Sequence, residues 1–286
     1  MNIGEAYQLI ITTLQPVYGK EETAAMALLL LEHYTGTERL QIKLNAGVTI
    51  NSNAEVSIKK ALQQLLEHKP LQYVLEEAWF ANMLFYVDEN VLIPRPETEE
   101  LVNWITGKYK TKKHSIDIIE IGTGSGCIAI TLKKEIATAN ITAVDVSNSA
   151  LEVAKKNAVK LGTVIQFMLV DFLNEGNWNS LGQFNIIVSN PPYIPANEKA
   201  KLEVNVADWE PSTALFVPEN DPLLFYKKIA AFGKTHLKEG GEIFAECHQE
   251  YAAAAKKMFE ENGYSCEVKR DIFENERMIR AALLIN

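Results

Sequence analysis

The tetrapeptide Asn190-Pro191-Pro192-Tyr193 carries the strongest chemical signal in the chain. It follows Phe184-Asn185-Ile186-Ile187-Val188-Ser189, an apolar run that reads as a buried strand. Proline lacks the N–H that a ladder requires, so the two prolines end the strand and stiffen the loop after it. In open α/β sheets the ligand crevice lies outside the C-terminal ends of the strands, where this loop falls. The Asn190 side chain can there accept a hydrogen bond from an amino or amide nitrogen. The Pro191 carbonyl can accept a second, and Tyr193 offers a flat face. Asn190, Pro191 and Tyr193 are the candidate catalytic residues, and with Pro192 they form a loop suited to a planar –NH2 group.

Upstream, Glu120-Ile121 leads into Gly122-Thr123-Gly124-Ser125-Gly126. Glycine at every second position lets the backbone approach a ligand closely at the N-terminus of a helix. The spacing is GxGxG, whereas a dinucleotide fingerprint wants Gly or Ala at the position held by Cys127. The next strand ends in Asp145, whose carboxylate can accept both hydroxyls of a ribose. The strand after it ends in Asp171-Phe172, where an aromatic face could cover an adenine ring. Alone, the glycine turn also fits a tight bend, and Asp145 a helix cap. In this order they favour an adenosine-containing cofactor, held by Glu120, Gly122, Thr123, Gly124, Ser125, Gly126, Asp145, Asp171, Phe172 and Asn190. No Walker motif accompanies them, which disfavours ATP.

Positioning these residues requires strands that alternate with helices. Strands are expected at 116–121, 141–144, 164–170, 184–189 and 241–245, with helices at 127–134, 149–161, 222–236 and 249–262 between and after them. Such alternation implies a doubly wound, mostly parallel sheet covered on both faces. Cys266–Lys269 and Met278–Leu284, joined by a short loop, add an antiparallel edge. Residues 1–75 differ, with helical periodicity and little β signal, and read as a bundle of four or five helices. Ser52-Asn53-Ala54-Glu55 fits a capping box, ahead of an apolar face of Ile58, Ala61, Leu62, Leu65 and Leu66. Gly36 is a plausible helix stop. Residues 76–95 form a linker with a hairpin around Ala81-Asn82-Met83, and 96–286 the catalytic domain. Pro96 suits the first position of a helix, with glutamates in its first turn. That leaves Arg95, held between Pro94 and Pro96, as a candidate substrate contact.

Composition narrows the class. At 286 residues and 47% hydrophobic the chain can bury a substantial core. A net charge of −9 argues against a protein that grips nucleic acid mainly by neutralising phosphates. Cys127, Cys247 and Cys266 form no CxxC pair, and the five histidines never fall as HxxxH, so neither disulfide nor metal is expected. No basic, apolar leader opens the chain, and the longest apolar run, Ala24–Leu31, is far short of a membrane span. A cytoplasmic protein with no membrane partner is the expectation. Trp79, Trp104, Trp178 and Trp209 read as packing residues.

Glu120 to Gly126, Asp145, Asp171-Phe172 and Asn190 to Tyr193 stand in the order seen in class I S-adenosylmethionine-dependent methyltransferases. The tetrapeptide resembles the subset that methylates nitrogens of planar groups: adenine, guanine or a glutamine amide. Val91-Leu92-Ile93-Pro94-Arg95-Pro96-Glu97-Thr98-Glu99 closely resembles the linker of the peptide chain release factor glutamine methyltransferases (HemK/PrmC type). So do Pro70–Leu75, Glu210-Pro211, Ala214-Leu215-Phe216, Asp221-Pro222-Leu223, Asp271 and Glu276-Arg277. The resemblance implies an N-terminal helical domain that helps dock a class I peptide chain release factor. It implies transfer of a methyl group from S-adenosyl-L-methionine to the amide of the Gly-Gly-Gln glutamine, with S-adenosyl-L-homocysteine as product. The chain departs from the family at Glu76, usually Gly, at Val217–Asp221, usually a glycine-rich turn, and at Ala245-Glu246-Cys247-His248, usually Glu-Ile-Gly. None of these departures is expected to touch the catalytic loop. Rival readings are a nucleic-acid methyltransferase acting on adenine N6 or guanine N2, a nicotinamide-dependent oxidoreductase, and a non-catalytic cofactor-binding scaffold. The acidic charge and the Arg95 linker oppose the first, the glycine spacing the second, and the intact Asn190 the third.

Overall fold

A computed structural model describes residues 1–284. The chain divides into two compact units, residues 1–77 with 204–209, and residues 78–203 with 210 onward. The first holds α1 (Ile3–Tyr18), α2 (Lys20–Thr35), α3 (Arg39–Ile42), α4 (Ser52–Leu66) and α5 (Leu71–Leu75). Ile10, Leu14, Leu30, Leu31, Ile58 and Leu65 are fully buried and form its core. The reading of the α4 start is off by one residue. Asn51, with extended backbone, is the cap and accepts from the Ala54 amide at 2.7 Å, while Ser52 is already helical. Glu55 is therefore free to pair with the Met1 amino group and Lys59. A reciprocal capping box does occur at α1, where Asn2 and Glu5 bond each other's backbone amides. The apolar face of α4 ends at Leu65, since Leu66 is 45% exposed. Gly36 terminates α2 in the left-handed conformation, as expected. At the end of α5 Glu76 adopts the same conformation, with φ 55°.

In chain order there follow β1 (Glu77–Phe80), β2 (Met83–Tyr86), α6 (Pro96–Tyr109), β3 (Ile116–Ile121), α7 (Cys127–Glu135), β4 (Ala139–Asp145), α8 (Asn148–Lys160), β5 (Gln166–Leu169) and β6 (Phe184–Ser189). Next come β7 (Ile194–Pro195), α9 (Val204–Trp209), α10 (Ser212–Leu215), β8 (Phe216–Val217), α11 (Leu224–His236), β9 (Leu237–Glu246), α12 (Ala252–Glu261), β10 (Tyr264–Arg270) and β11 (Glu276–Leu283). Of these, α9 clusters with the first unit, where the Trp209 indole N–H donates to the Glu67 carbonyl at 3.2 Å. The β1–β2 hairpin turns through Ala81 and Asn82, both with positive φ, the geometry of a two-residue turn. It buries Phe80 and Phe85 but leaves Trp79 62% exposed, so Trp79 is not a packing residue.

The main sheet has seven strands in the order β10-β11-β9-β6-β3-β4-β5. Strands β9, β6, β3, β4 and β5 run parallel. Strand β11 is antiparallel to both β9 and β10, so the last strand inserts inside the edge strand that precedes it. Ile118, Ile119, Ile186, Ile187 and Val188 are fully buried, as strands covered on both faces require. From β3 the chain winds outward through β4 to β5, then returns to lay β6 on the other flank of β3. The resulting switch point, between the C-terminal ends of β3 and β6, is where open α/β sheets form their crevice.

Candidate active site

Three strand ends meet at the switch point. The Ser189 hydroxyl donates to the Ile121 carbonyl at 2.8 Å and ties β6 to β3. The glycine turn then leaves β3 with positive φ at Gly122, Gly124 and Gly126. A Cβ at Gly122 or Gly124 would enter open space, so these backbones face the crevice bare, whereas one at Gly126 would press on Ile130 and Ala154. Asp145 holds the turn: Oδ2 accepts from the Gly124 amide and Oδ1 from the Ser147 amide, each at 2.9 Å. The cap of α8 is Ser147, not Asp145. Each Asp145 oxygen keeps a lone pair for a ligand hydroxyl. A residue not anticipated from sequence, Asn157 on α8, braces the turn from behind by donating to the Ser125 carbonyl at 2.9 Å.

These residues line a cavity of about 410 Å³, within the range of small-molecule sites. Its wall includes Glu120, Gly122, Thr123, Gly124, Ser125, Asp145, Asp171, Phe172, Asn190, Pro192 and Arg95. Gly126, Pro191 and Tyr193 are not in the wall; Gly126 caps α7, Pro191 is buried, and the Tyr193 hydroxyl donates to Glu246. Phe172 borders the cavity yet packs on Trp178 and Phe232, with centroids 5.4 and 5.3 Å away. Glu120 is 1% exposed. Its Oε2 accepts from the Thr123 hydroxyl at 2.6 Å and the Ala129 amide at 3.1 Å. Burial outweighs those two bonds and pushes the carboxyl up to about 8.

Asn190 sits at the end of a polar chain. Its Nδ2 donates to Thr98 Oγ1 at 3.1 Å, and Thr98 Oγ1 donates to Glu246 Oε2 at 2.7 Å. The Tyr193 hydroxyl donates to Glu246 Oε1 at 3.3 Å. Asn190 Oδ1 has no donor among the described residues. Burial raises Glu246 to about 6, against the opposing pull of Thr98 and Arg277. Glu246 keeps the Glu of the Glu-Ile-Gly pattern, but His248, which departs from it, lies against Tyr193 with ring centroids 5.8 Å apart, so that departure does touch the catalytic loop. Thr98, two residues into the first turn of α6, is 2% exposed and also borders the cavity.

Arg95 does border the cavity, but its guanidinium is committed to Glu210, whose side chain is 1% exposed. The other Glu210 oxygen accepts from the Ile93 amide at 3.3 Å. One buried carboxylate thus fastens the Pro-Arg-Pro linker to the segment before α10. Among the described residues no group of three or more His, Cys, Asp or Glu could hold a metal ion, and no helix is long and apolar enough to cross a membrane.

Two family models match: Methyltransferase small domain over residues 101–207, and PrmC N-terminal domain over residues 5–75. A release factor glutamine methyltransferase of Flavobacterium psychrophilum is 39% identical, over 94% of this chain and 95% of the relative. One of Bacteroides thetaiotaomicron is 38% identical, over 98% and 99%. This chain belongs to the release factor glutamine methyltransferase family. A solved methyltransferase of Pyrococcus furiosus, 16% identical, shares the fold with a TM-score of 0.52 over 82% of this chain and all of that one. Class I methyltransferase architecture is thereby established, and with it the doubly wound sheet expected from the alternating pattern. In this chain Thr98, Asn157, Glu210 and Glu246 were not singled out as site residues from sequence. Thr98, Glu210 and Glu246 were visible only as letters of segments compared with the family, and nothing local marks Asn157.

Proposed function

We propose that the chain transfers a methyl group from S-adenosyl-L-methionine to the side-chain amide nitrogen of the Gly-Gly-Gln glutamine of class I peptide chain release factors. The observation that carries this reading is Asn190, at the cavity wall, with Nδ2 engaged and Oδ1 open. The cavity suits the donor: bare glycine backbone, Asp145 for ribose hydroxyls, and the carboxyls of Glu120 and Asp171 for a ligand bearing positive charge. When bound, S-adenosyl-L-methionine supplies a sulfonium methyl and departs as S-adenosyl-L-homocysteine.

An amide nitrogen is a poor nucleophile, because its lone pair is delocalised into the carbonyl with a resonance that gives the peptide bond a barrier of roughly 18–20 kcal/mol. Asn190 Oδ1 and the Pro191 carbonyl accept the two N–H bonds of the substrate amide and aim its nitrogen at the methyl. Both oxygens stabilise the positive charge that grows on that nitrogen. Tyr193 stays a neutral phenol, its proton held by burial and by Glu246, and flanks the amide plane. The proton on the methylated nitrogen is acidic enough to pass to water, so no general base is required of the chain.

Every residue of the cavity wall belongs to the second unit, which frees the helical unit, residues 1–75, to dock the release factor. The substrate places the activity in the cytoplasm, and no metal or nucleic acid takes part. Incubation of the protein with a release factor and S-adenosyl-L-methionine, followed by peptide mass spectrometry, should find one added methyl on the Gly-Gly-Gln glutamine. Asn190→Ala should lose that product while binding S-adenosyl-L-homocysteine nearly as before. Label appearing in nucleic acid and not in the release factor would overturn the reading.

A further inference from the structure

The two ends of the Asn190 side-chain amide have the same shape and opposite hydrogen-bonding character. Only with Oδ1 toward the cavity can Asn190 accept from a substrate –NH2 group. Turned over, it would present N–H and favour a carboxylate or carbonyl oxygen. Something must hold it one way.

The polar chain behind it has a direction that chemistry dictates. A Glu246 carboxylate is acceptor-only. Thr98 has one hydroxyl proton, and it is spent on Glu246 Oε2 at 2.7 Å. What Thr98 Oγ1 offers Asn190 at 3.1 Å is a lone pair, and only an N–H can meet it. The second Glu246 oxygen accepts from the Tyr193 hydroxyl at 3.3 Å, and turning the Thr98 proton toward Asn190 would take from Oε2 its donor. Thr98 and Glu246 are both 2% exposed, which keeps water from substituting for the link between them. Arg277 supplies a nearby positive charge that favours the ionised state of Glu246.

We infer that Thr98 and Glu246 are positioning residues that lock the Asn190 amide with its oxygen toward the substrate, and so select an N–H-bearing side chain such as glutamine over glutamate. The inference rests on the proposed amide clamp, but its first test does not. In protein labelled with 15N-asparagine, the Asn190 side-chain NH2 should be shifted and protected from exchange in the unaltered protein and in Thr98→Ser. Both signatures should vanish in Thr98→Val. An NH2 signal unchanged by Thr98→Val would overturn the lock, whatever the substrate proves to be.

Kinetics with a release factor supply the second test. Thr98→Val should lower kcat about 10- to 100-fold, with S-adenosyl-L-homocysteine affinity within about threefold and an unchanged unfolding midpoint. Thr98→Ser, which keeps the hydroxyl, should recover to within about threefold. Glu246→Gln should fall with Thr98→Val, and the double variant should be no worse than either. If Thr98→Val kept kcat within twofold while Asn190→Ala was inactive, the lock would fail and the clamp would stand. If Asn190→Ala itself were active, the clamp would fail, and the NMR result would still judge the lock.

Discussion

Asn157 and Ser125, 32 positions apart, are joined by an N–H···O bond of 2.9 Å. The same Asn157 amide donates to the Tyr86 carbonyl and accepts from the Tyr86 amide. One fully buried side chain thus serves backbone groups of both the β1–β2 hairpin and the glycine turn. Asn157→Ala would strand three backbone groups, at roughly 1–3 kcal/mol for each left without a partner. We expect a loss of about 3 kcal/mol in urea unfolding and a weaker S-adenosyl-L-homocysteine complex. A loss below about 1 kcal/mol would mean that water replaces the brace.

Glu120 makes cofactor binding depend on pH. Its carboxyl, raised to about 8 by burial, is largely protonated in the folded protein at neutral pH. A raised acid stabilises the fold below its unfolded value near 4.5 and loses that contribution as pH climbs through about 8. A cationic ligand entering the cavity favours the carboxylate and reverses the preference. Affinity for S-adenosyl-L-methionine should therefore rise from pH 6 to pH 8, with proton release on binding. Calorimetry in two buffers of different ionisation enthalpy measures that proton, and Glu120→Gln should abolish it.

Glu76 holds a left-handed conformation, φ 55° and ψ 30°, at the end of α5. The left-handed region costs a side-chain-bearing residue about 1–2 kcal/mol, part of which glycine returns through its freer unfolded chain. Glu76→Gly should stabilise the protein by about 0.5–1 kcal/mol in denaturant titration, while Glu76→Ala should give nothing.

Arg95 and Glu210 should prove strongly coupled. Removing one partner of a buried pair leaves a stranded charge, a cost of about 3–5 kcal/mol when burial is complete. The Arg95 side chain is 33% exposed, which softens the figure. A double-mutant cycle of Arg95→Ala and Glu210→Gln should show a coupling of about 2 kcal/mol. Coupling near zero would release Arg95 from its structural duty and return it to the role of a substrate contact.

What could be read from the sequence was whatever depends on neighbours along the chain. Strand ends at Asp145, Asp171 and Asn190 announce themselves because an apolar run stops at a polar residue, and the winding rules of parallel sheets then bring them together. Pro96 opens α6 because its fixed φ suits a first turn. Thr98 and Glu246 stayed hidden because their bond spans 148 positions, and a threonine in a helix start already has a local explanation. The start of α4 was misplaced by one residue because Asn51 and Ser52 are both good caps, and only backbone geometry chooses between them. Burial of Glu246 and Asn157 belongs to the packed fold and leaves no trace in composition.

Because α9 begins at Val204, 124 positions beyond the end of β1 at Phe80 (204 − 80), yet clusters with the N-terminal helices, the helical unit is not a contiguous cassette. Cutting the chain after residue 77 would strand a piece of that unit inside its neighbour's sequence. Chimeras that exchange the helical unit between relatives would have to carry two segments, not one. Val204–Trp209, only eleven positions past Tyr193 (204 − 193), would then have to be carried along with the helices at the front of the chain, and each crossover around it would fall beside the catalytic loop's own segment.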